Sequence, residues 1–349
     1  MNQSFRPDWQ QNWLFSLLSP LIAIAVALLV GAGLMLMAGA NPIFAYSTLF
    51  SESLTNYYGF ANTLTKTIPL LLTSLGVLVA LKAGQFNIGG EGQIYMGGLG
   101  SALVGLYGQG LPAWIHIPLA LLGGFLLGGI WGLIPGYLKA VRGIHEVITT
   151  LLLNYIAQNL IGYAVTGPMM EPGAPSPYSP QLPTSAQLPT ILPETQVHAG
   201  ILISIFVAVI LWVALTKTPF GYQIEAVGKN PLASRYAGIS ITRTILLVMG
   251  LAGGLAGLAG ACEVMGLKYR LFEKFSSGYG FDAIAIAFLS RSSVGGVVVT
   301  SLFFGTLRAG ANVMQRSANV PFTIVYAIQG LTVLFIAISL AIEQMKSKQ

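Results

Sequence analysis

The chain predicts an all-α fold, a polytopic membrane helix bundle of about eight to ten transmembrane helices, and three observations carry that expectation. First, 54% of its 349 residues are hydrophobic and only 8% charged, with a mean hydropathy of +0.73, whereas soluble domains carry about 25% charged residues. Second, apolar runs near the roughly 20 residues needed to cross a bilayer recur along the whole length. Third, some runs are cut by glycine-rich polar stretches, which points to broken or re-entrant elements and an inverted repeat. A single transmembrane domain over 1–349 is the expected organisation.

Taken in order, spans are expected at 14–38, 64–82, 88–107, 114–138, 146–165, 199–216, 244–264, 281–291, 295–314 and 321–342. The first apolar run holds about 25 residues, against about 7–15 for the core of a signal peptide, so it reads as a retained span. The eighth is too short to cross about 30 Å at 1.5 Å per residue and reads as half of a broken element.

The net charge of +6 and pI of 9.4 fit basic residues held at a cytoplasmic face better than a nucleic-acid partner, and none is expected. With the N-terminus inside, Lys82, Lys139, Arg142, Lys217, Lys229, Arg235, Arg243, Arg291, Lys346 and Lys348 all fall on the cytoplasmic side, as does the C-terminus. The segment 166–197 holds Glu171 and Glu194 but no Lys or Arg, and its prolines favour extended backbone, as expected of an external loop. Lys268, Arg270 and Lys274 fall outside, with Glu273 and Asp282 close enough in sequence to pair with some of them. His116 and His198 are expected at the outer membrane interface and His145 at the cytoplasmic edge of the fifth span. Cys262, the single cysteine, reads as a small buried hydrophobe without disulfide or metal partner.

The stretch "KAGQFNIGGEGQIYMGGLG" (82–100) interrupts an otherwise lipid-soluble run. Unpartnered polar groups cost several kcal/mol in hydrocarbon, so it either lies outside the bilayer or meets water and neighbouring helices. A second stretch, "SGYGFDAIAIAF" (277–288), has the same order: glycines, Phe, a short polar residue, then an apolar helix. Asn87 and Asp282 are expected as the two N-caps, with the helices entering from opposite sides as in an inverted repeat whose helix N-termini point into the membrane. Asn87, Glu91, Gln93, Phe281 and Asp282 are therefore candidates for a substrate pathway. The alternative for the first group is a cytoplasmic turn in bulk water. Glu146, Asn154 and Gln158, spaced by eight and four, share one helical face, and Asn154 and Gln158 join the pathway candidates. Glu263 and Arg308 could form an internal ion pair. Gly250, Gly253, Gly254, Gly257 and Gly260 form a close-packing surface.

Enzymatic signatures are absent: there is no GxxxxGK[ST], GxSxG or HExxH, so this chain is not expected to bind ATP, a metal or any other cofactor, or to catalyse a reaction. The most charged stretch is "KTPFGYQIEAVGKNPLASRYAGISITRT" (217–244), which holds the longest cytoplasmic loop, 217–243. Asn230 suits an N-cap, Pro231 the first helical position and Gly238 a left-handed stop, which defines a helix of about seven residues. A helix so short does not persist alone in water. It is either part of a solvated loop or a docking element for a partner, with Gly228, Lys229, Asn230, Pro231, Ala233, Arg235 and Gly238 as the candidates.

The stretch "EAVGKNPLASRYAGI" resembles the coupling segment of permease subunits of the ABC importer class that serves branched-chain amino acids, ribose and nucleosides. "AGQFNIGGEGQIYMGG" is similar to the hallmark of the nucleoside and simple-sugar branch, and "HEVITTLLLNYIA", "GYGFDAIAIAFL", "FFGTLRAGANVMQ" and "AIQGLTVLFIA" agree with it. The resemblance runs from about residue 60 to the C-terminus. It departs at "LSRSSVGGV" (289–297), where that branch leads us to expect glycine near Ser290 and a longer polar insertion. The resemblance implies nucleoside import across the bacterial plasma (inner) membrane. It also implies a separate ATPase subunit carrying ATP and Mg, a second, related permease chain, and an extracytoplasmic substrate-binding lipoprotein. The alternatives are a permease for a simple sugar such as ribose, an ion-coupled secondary transporter using Glu263 or Asp282, and a passive channel.

Overall fold

The computed structural model describes residues 13–346. Lys348 and the chain ends, to which an orientation was assigned above, lie outside the described residues. Thirteen α-helices follow in order: Trp13–Met37 (α1), Pro42–Leu54 (α2), Tyr57–Lys82 (α3), Gly90–Tyr107 (α4), Ala113–Arg142 (α5), Glu146–Thr166 (α6), Gly200–Lys217 (α7), Pro219–Lys229 (α8), Pro231–Tyr236 (α9), Ile241–Glu263 (α10), Tyr279–Leu289 (α11), Val294–Ala318 (α12) and Phe322–Lys346 (α13). Helices α3, α5, α6, α7, α12 and α10 with its π-helical extension to Lys268 are long and apolar enough to cross a membrane. The chain is a multi-pass membrane protein. Each expected span has its helix, but two helices were not foreseen. In α2, Ser47, Thr48, Ser51, Glu52 and Ser53 mask the hydrophobic signal; α8 lies inside the stretch read as loop. Helix α3 also starts seven residues before 64, capped by Asn56 Oδ1, which accepts from Tyr58 N at 3.0 Å.

The residues divide into two compact units, one of Ser53–Ala309 and the other of the segments up to Glu52 and from Gly310. In the second of these, α1 packs along α13, and Tyr46 Oη donates to Leu28 O at 2.7 Å.

The unit Ser53–Ala309 is organised around α10, which packs on α5, α4 and α3. Its glycines do the work expected of them. A Cβ on Gly253 or Gly257 would overlap the carbonyls of Gly128 and Gly124 on α5, and one on Gly260 would overlap Ile94 O on α4. Backbones this close exclude larger side chains, and packing of this kind holds helices together where lipid removes the hydrophobic drive. Cys262 is fully buried here.

Loop 166–197 is irregular, with turns at 167–169, 172–173 and 193–194 and one 3-10 turn, Thr184–Ala186. It lies along residues 265–272 through Ser179 N→Leu271 O (2.8 Å), Leu182 N→Tyr269 O (2.8 Å) and Leu188 N→Met265 O (2.9 Å). Both of its histidine partners are buried within the protein. His116 bridges Ser185 Oγ (2.9 Å) and Val104 O (3.2 Å). His198 Nδ1 accepts from Gly200 N at 3.2 Å and its ring packs on Gly266. The loop supplies Ser185 to His116, whereas His198 is met by Gly200 N, contacts that sequence periodicity does not reveal.

Burial pushes the His198 imidazole down to about 4 from 6.5. An unfolded chain therefore takes up this proton below about pH 6.5, whereas the folded one resists it until about pH 4. Stability is fully present above 6.5 and falls by an amount on the order of 3 kcal/mol as pH drops through that window. Thermal unfolding of the purified protein should shift down between pH 6.5 and 4, and His198→Phe should flatten the shift. An equally steep loss in His198→Phe would show that other groups control it.

The basic residues assigned outside meet the expectation for Glu273 and depart from it for Asp282. Arg270 pairs with Glu171 (3.3 Å) and stacks on Tyr178, Lys274 lies 4.0 Å from Glu273, and Asp282 is taken by Arg308. The departure at 289–297 forms a tight turn in which Arg291 (φ 49) and Ser292 (φ 59) both adopt the left-handed region, consistent with the glycine expected near it. Ser293 Oγ then accepts from Gly296 N at 3.0 Å as α12 begins.

Candidate functional site

Helix α3 gives a ruler for depth. Its N-terminus touches loop 166–197, where Tyr57 Oη donates to Pro193 O (2.9 Å) and Tyr58 Oη to Glu194 Oε2 (3.1 Å). At its other end, Lys82 Nζ meets Glu225 Oε1 of α8 at 2.6 Å. The external-type loop and the 217–243 segment thus lie at opposite ends of a 26-residue helix, about 39 Å long at 1.5 Å per residue.

Both short polar helices begin between those ends. Gly90, the first residue of α4, rests against Thr73 of α3, about 14 Å from the Lys82 end. Tyr279, the first residue of α11, accepts a hydrogen bond from Lys66 Nζ at 3.2 Å, about 14 Å from the Tyr57 end. Helix α11 then runs along α3 towards Val77 and Leu81 through Ala283, Ile284 and Ala287, while α4 runs the other way towards His116. The two N-termini meet: Gly90 lies on Gly280, and a Cβ on Gly280 would overlap the backbone N of Glu91. This is the arrangement expected of an inverted repeat.

Polar side chains wire this crossing. Glu91 accepts from Gly278 N (3.2 Å) and Gly280 N (2.8 Å), so a residue of one helix start holds the start of the other. Asn154 of α6 accepts from Gly92 N (2.8 Å) and donates to Ile88 O (3.0 Å). Asn87 and Gln93 exchange amide hydrogen bonds at 2.9 and 3.1 Å. All four side chains are buried. A carboxylate at a helix N-terminus is favoured by the positive end of the helix dipole, and the polar groups of these four side chains are met by one another and by backbone.

The N-cap expectation is corrected on both sides. Gly89 caps α4, because Asn87 Oδ1 spends its hydrogen bond on Gly89 N (3.0 Å) within a turn. Gly278, at φ 85, caps α11, and Asp282 sits inside the first turn. Asp282 Oδ2 instead takes Arg308 Nε at 2.7 Å, while Arg308 Nη2 donates to Ser277 O at 2.9 Å and the guanidinium stacks on Tyr279, 4.6 Å from its centroid. The proposed Glu263–Arg308 ion pair is therefore replaced by Asp282–Arg308, because α11 stands within reach of α12. Of the pathway candidates, Asn87, Glu91, Gln93, Asn154 and Asp282 come together at the crossing. Gln158 is half-buried on α6 and Phe281 is 46% exposed, and neither joins the network.

At the Lys82 end, α8 and α9 are separated by Asn230 alone. Asn230 Oδ1 accepts from Ala233 N (3.0 Å), Pro231 opens α9, and Gly238 stops it at φ 80 with Ile239 N→Ser234 O (3.0 Å). The short helix has the stops expected, over six residues. Ser234 is buried towards the protein, whereas Pro231, Ala233 and Arg235 are exposed, Leu232 is 70% exposed and Tyr236 94%. Leu232 and Tyr236 escaped the sequence reading, although their i, i+4 spacing on a polar segment was the available signal. Lys82 holds the Glu225 carboxyl below its usual range, with Lys229 adding at 4.0 Å. Glu146 pairs with Lys139 at 2.8 Å and accepts from Phe86 N at 3.4 Å.

A multi-pass helical bundle with two helix starts meeting in its interior and an apolar knob displayed on a polar end has the build of a membrane permease. The chain belongs to the family described as "Branched-chain amino acid transport system / permease component", whose model matches residues 59–337. It is a permease subunit of the ABC importer class, a transport component rather than a catalytic one. It is 37% identical to the guanosine ABC transporter permease protein NupP of Bacillus subtilis, over 95% of this chain and 96% of the relative. It is 36% identical to the nucleoside ABC transporter permease protein NupB of Lactococcus lactis subsp. cremoris, over 95% and 93%. It is also 36% identical to the glucose ABC transporter permease protein TsgB13 of Haloferax volcanii, over 92% and 87%.

Proposed function

We propose that this chain is the permease subunit of an ABC importer that carries nucleosides across a bacterial plasma membrane. ATP and Mg²⁺ bind a separate ATPase subunit, and this chain binds no cofactor. A second, related permease chain completes the channel, and an extracytoplasmic lipoprotein delivers substrate. Near full-length similarity to permeases named for guanosine and for nucleosides supports the substrate class. The similar glucose permease makes a simple sugar the second reading. Uptake of labelled guanosine and labelled glucose into vesicles holding the full complex separates them. ATP-dependent guanosine uptake that glucose leaves unaffected supports the first reading; the reverse overturns it. Uptake driven by an ion gradient without ATP would reject the importer class for a secondary transporter.

In this reading, α9 docks on the ATPase through Leu232, Ala233 and Tyr236, and the crossing of α4 and α11 is the element whose opening exposes the path past Phe281. The 217–243 segment and both termini then face the cytoplasm. Thr184→Cys and Ala237→Cys both place thiols on exposed positions, and buried Cys262 should stay silent. An impermeant thiol reagent added to intact cells should label Thr184→Cys and spare Ala237→Cys. Reversed labelling would invert the orientation and remove the docking assignment with it.

A further inference from the structure

We infer that Lys82, Glu225 and Gly228 form a joint that carries movement of the docking segment into the buried helix crossing. The inference rests on the docking reading above and identifies the residues that would transmit it.

Only Asn230 separates α9 from α8, and Asn230 N also donates back to Ala226 O at 2.9 Å, so the two short helices are tied to one another. Helix α8 is seated by buried Ile224 and Val227. Its last turn meets the end of α3 twice. Glu225 Oε1 lies 2.6 Å from Lys82 Nζ, and Gly228 packs so closely that a Cβ there would overlap Lys82 O. On the far side of that contact, Gly84, at φ 70, faces the Gly228 backbone, where its own Cβ would stand 3.4 Å away.

From Lys82 the chain has only the seven residues 83–89 before α4 opens at Gly90. Gln85 N is bonded back to Ala80 O (2.9 Å), Phe86 N is held by Glu146, and Asn87 by Gln93. Little slack is left in this linker. A displacement of α8 therefore moves the start of α4, and Glu91 there holds the start of α11. The ion pair suits transmission better than stability. Glu225 is 42% exposed and Lys82 17%, and ion pairs open to solvent contribute little to stability. A pair worth so little to the fold can be altered without unfolding the chain.

Lys82→Glu and Glu225→Lys, made singly in the full complex, should leave membrane insertion and ATPase co-purification intact. Substrate-stimulated ATP hydrolysis and uptake should fall about tenfold, within the roughly 5–150-fold range of inter-site couplings. The double exchange, Lys82→Glu with Glu225→Lys, should restore most of the loss, a recovery that a general defect in packing would not give. Singles that transport as wild type, or a double variant as impaired as the singles, would overturn the joint. A second measurement does not depend on the ATPase. In the permease alone, Glu225→Lys should speed amide hydrogen exchange across 83–89, and the double exchange should slow it again. Unchanged exchange would overturn the joint even if docking holds. An ATPase that co-purifies as well with Ala233→Glu as with wild type would instead remove the docking reading and leave the exchange result to stand by itself.

Discussion

Glu91→Ala is expected to abolish uptake and to destabilise the folded permease by several kcal/mol. The carboxylate is buried and accepts from two backbone N–H groups, Gly278 N and Gly280 N, at the first turn of α11. Removing it leaves both donors in a place that water does not freely reach. An unsatisfied buried donor costs about 1–3 kcal/mol, so the pair sums to about 2–6 kcal/mol. Glu91→Gln keeps one acceptor oxygen but turns an NH₂ towards the second donor, so it should lie between wild type and Ala. Asn154→Ala should show a milder version, since it frees Gly92 N and Ile88 O. Thermal unfolding in detergent and guanosine uptake in vesicles are the two measurements, with exposed Glu273→Ala as the control. Wild-type stability and uptake in Glu91→Ala would show that the crossing does not depend on this carboxylate. Wild-type stability with uptake lost would put Glu91 in the transport cycle rather than the scaffold.

What could be read in advance follows a physical dividing line. Local chemistry was legible. Asn230, Pro231 and Gly238 are neighbours in sequence, and each acts on backbone within a few residues of itself, so the stops of α9 could be written down. The glycines of α10 were legible as a surface because their spacing is helical, although their partners on α5 and α4 were not. Contacts between distant segments were hidden. Lys82 and Glu225 are 143 positions apart, and nothing in either neighbourhood names the other. Arg308 was matched with Glu263 and Asp282 with the basic residues before it, and only the packing of α11 beside α12 joins Arg308 to Asp282. Asn87 misled because an Asn before a helix can cap it or can close its own turn, and the two glycines that follow permit the second. Polarity alone also said too little about burial. Asn87, Glu91, Gln93 and Asn154 were expected to meet water and neighbouring helices, and the contacts they make are to one another and to the backbone.

The second large effect is expected at the docking helix, where Ala233→Glu should uncouple ATP hydrolysis from transport while the permease still inserts. Ala233 is exposed beside Leu232 and Tyr236, on the side of α9 opposite buried Ser234. A large apolar pair standing in water on a six-residue helix gains by burial against a partner, and Tyr is over-represented among residues that dominate interfaces. A glutamate set beside them would carry an unpaired charge into that contact at a cost of several kcal/mol, enough to weaken association more than about a hundredfold. Tyr236→Ala should weaken it without adding charge. Gly238 tests the same helix through its backbone. At φ 80 a β-branched residue is strained, yet nothing lies within 4 Å of its Cβ position, so Gly238→Val acts on conformation and not by collision. Gly238→Asn, which tolerates the left-handed region, should keep most activity. The measurements are ATPase co-purification and substrate-stimulated hydrolysis in the reconstituted complex. Full assembly and transport in Ala233→Glu, Tyr236→Ala and Gly238→Val together would place the docking surface elsewhere. A loss in Ala233→Glu and Tyr236→Ala with Gly238→Val unaffected would keep the surface but deny that its left-handed stop matters.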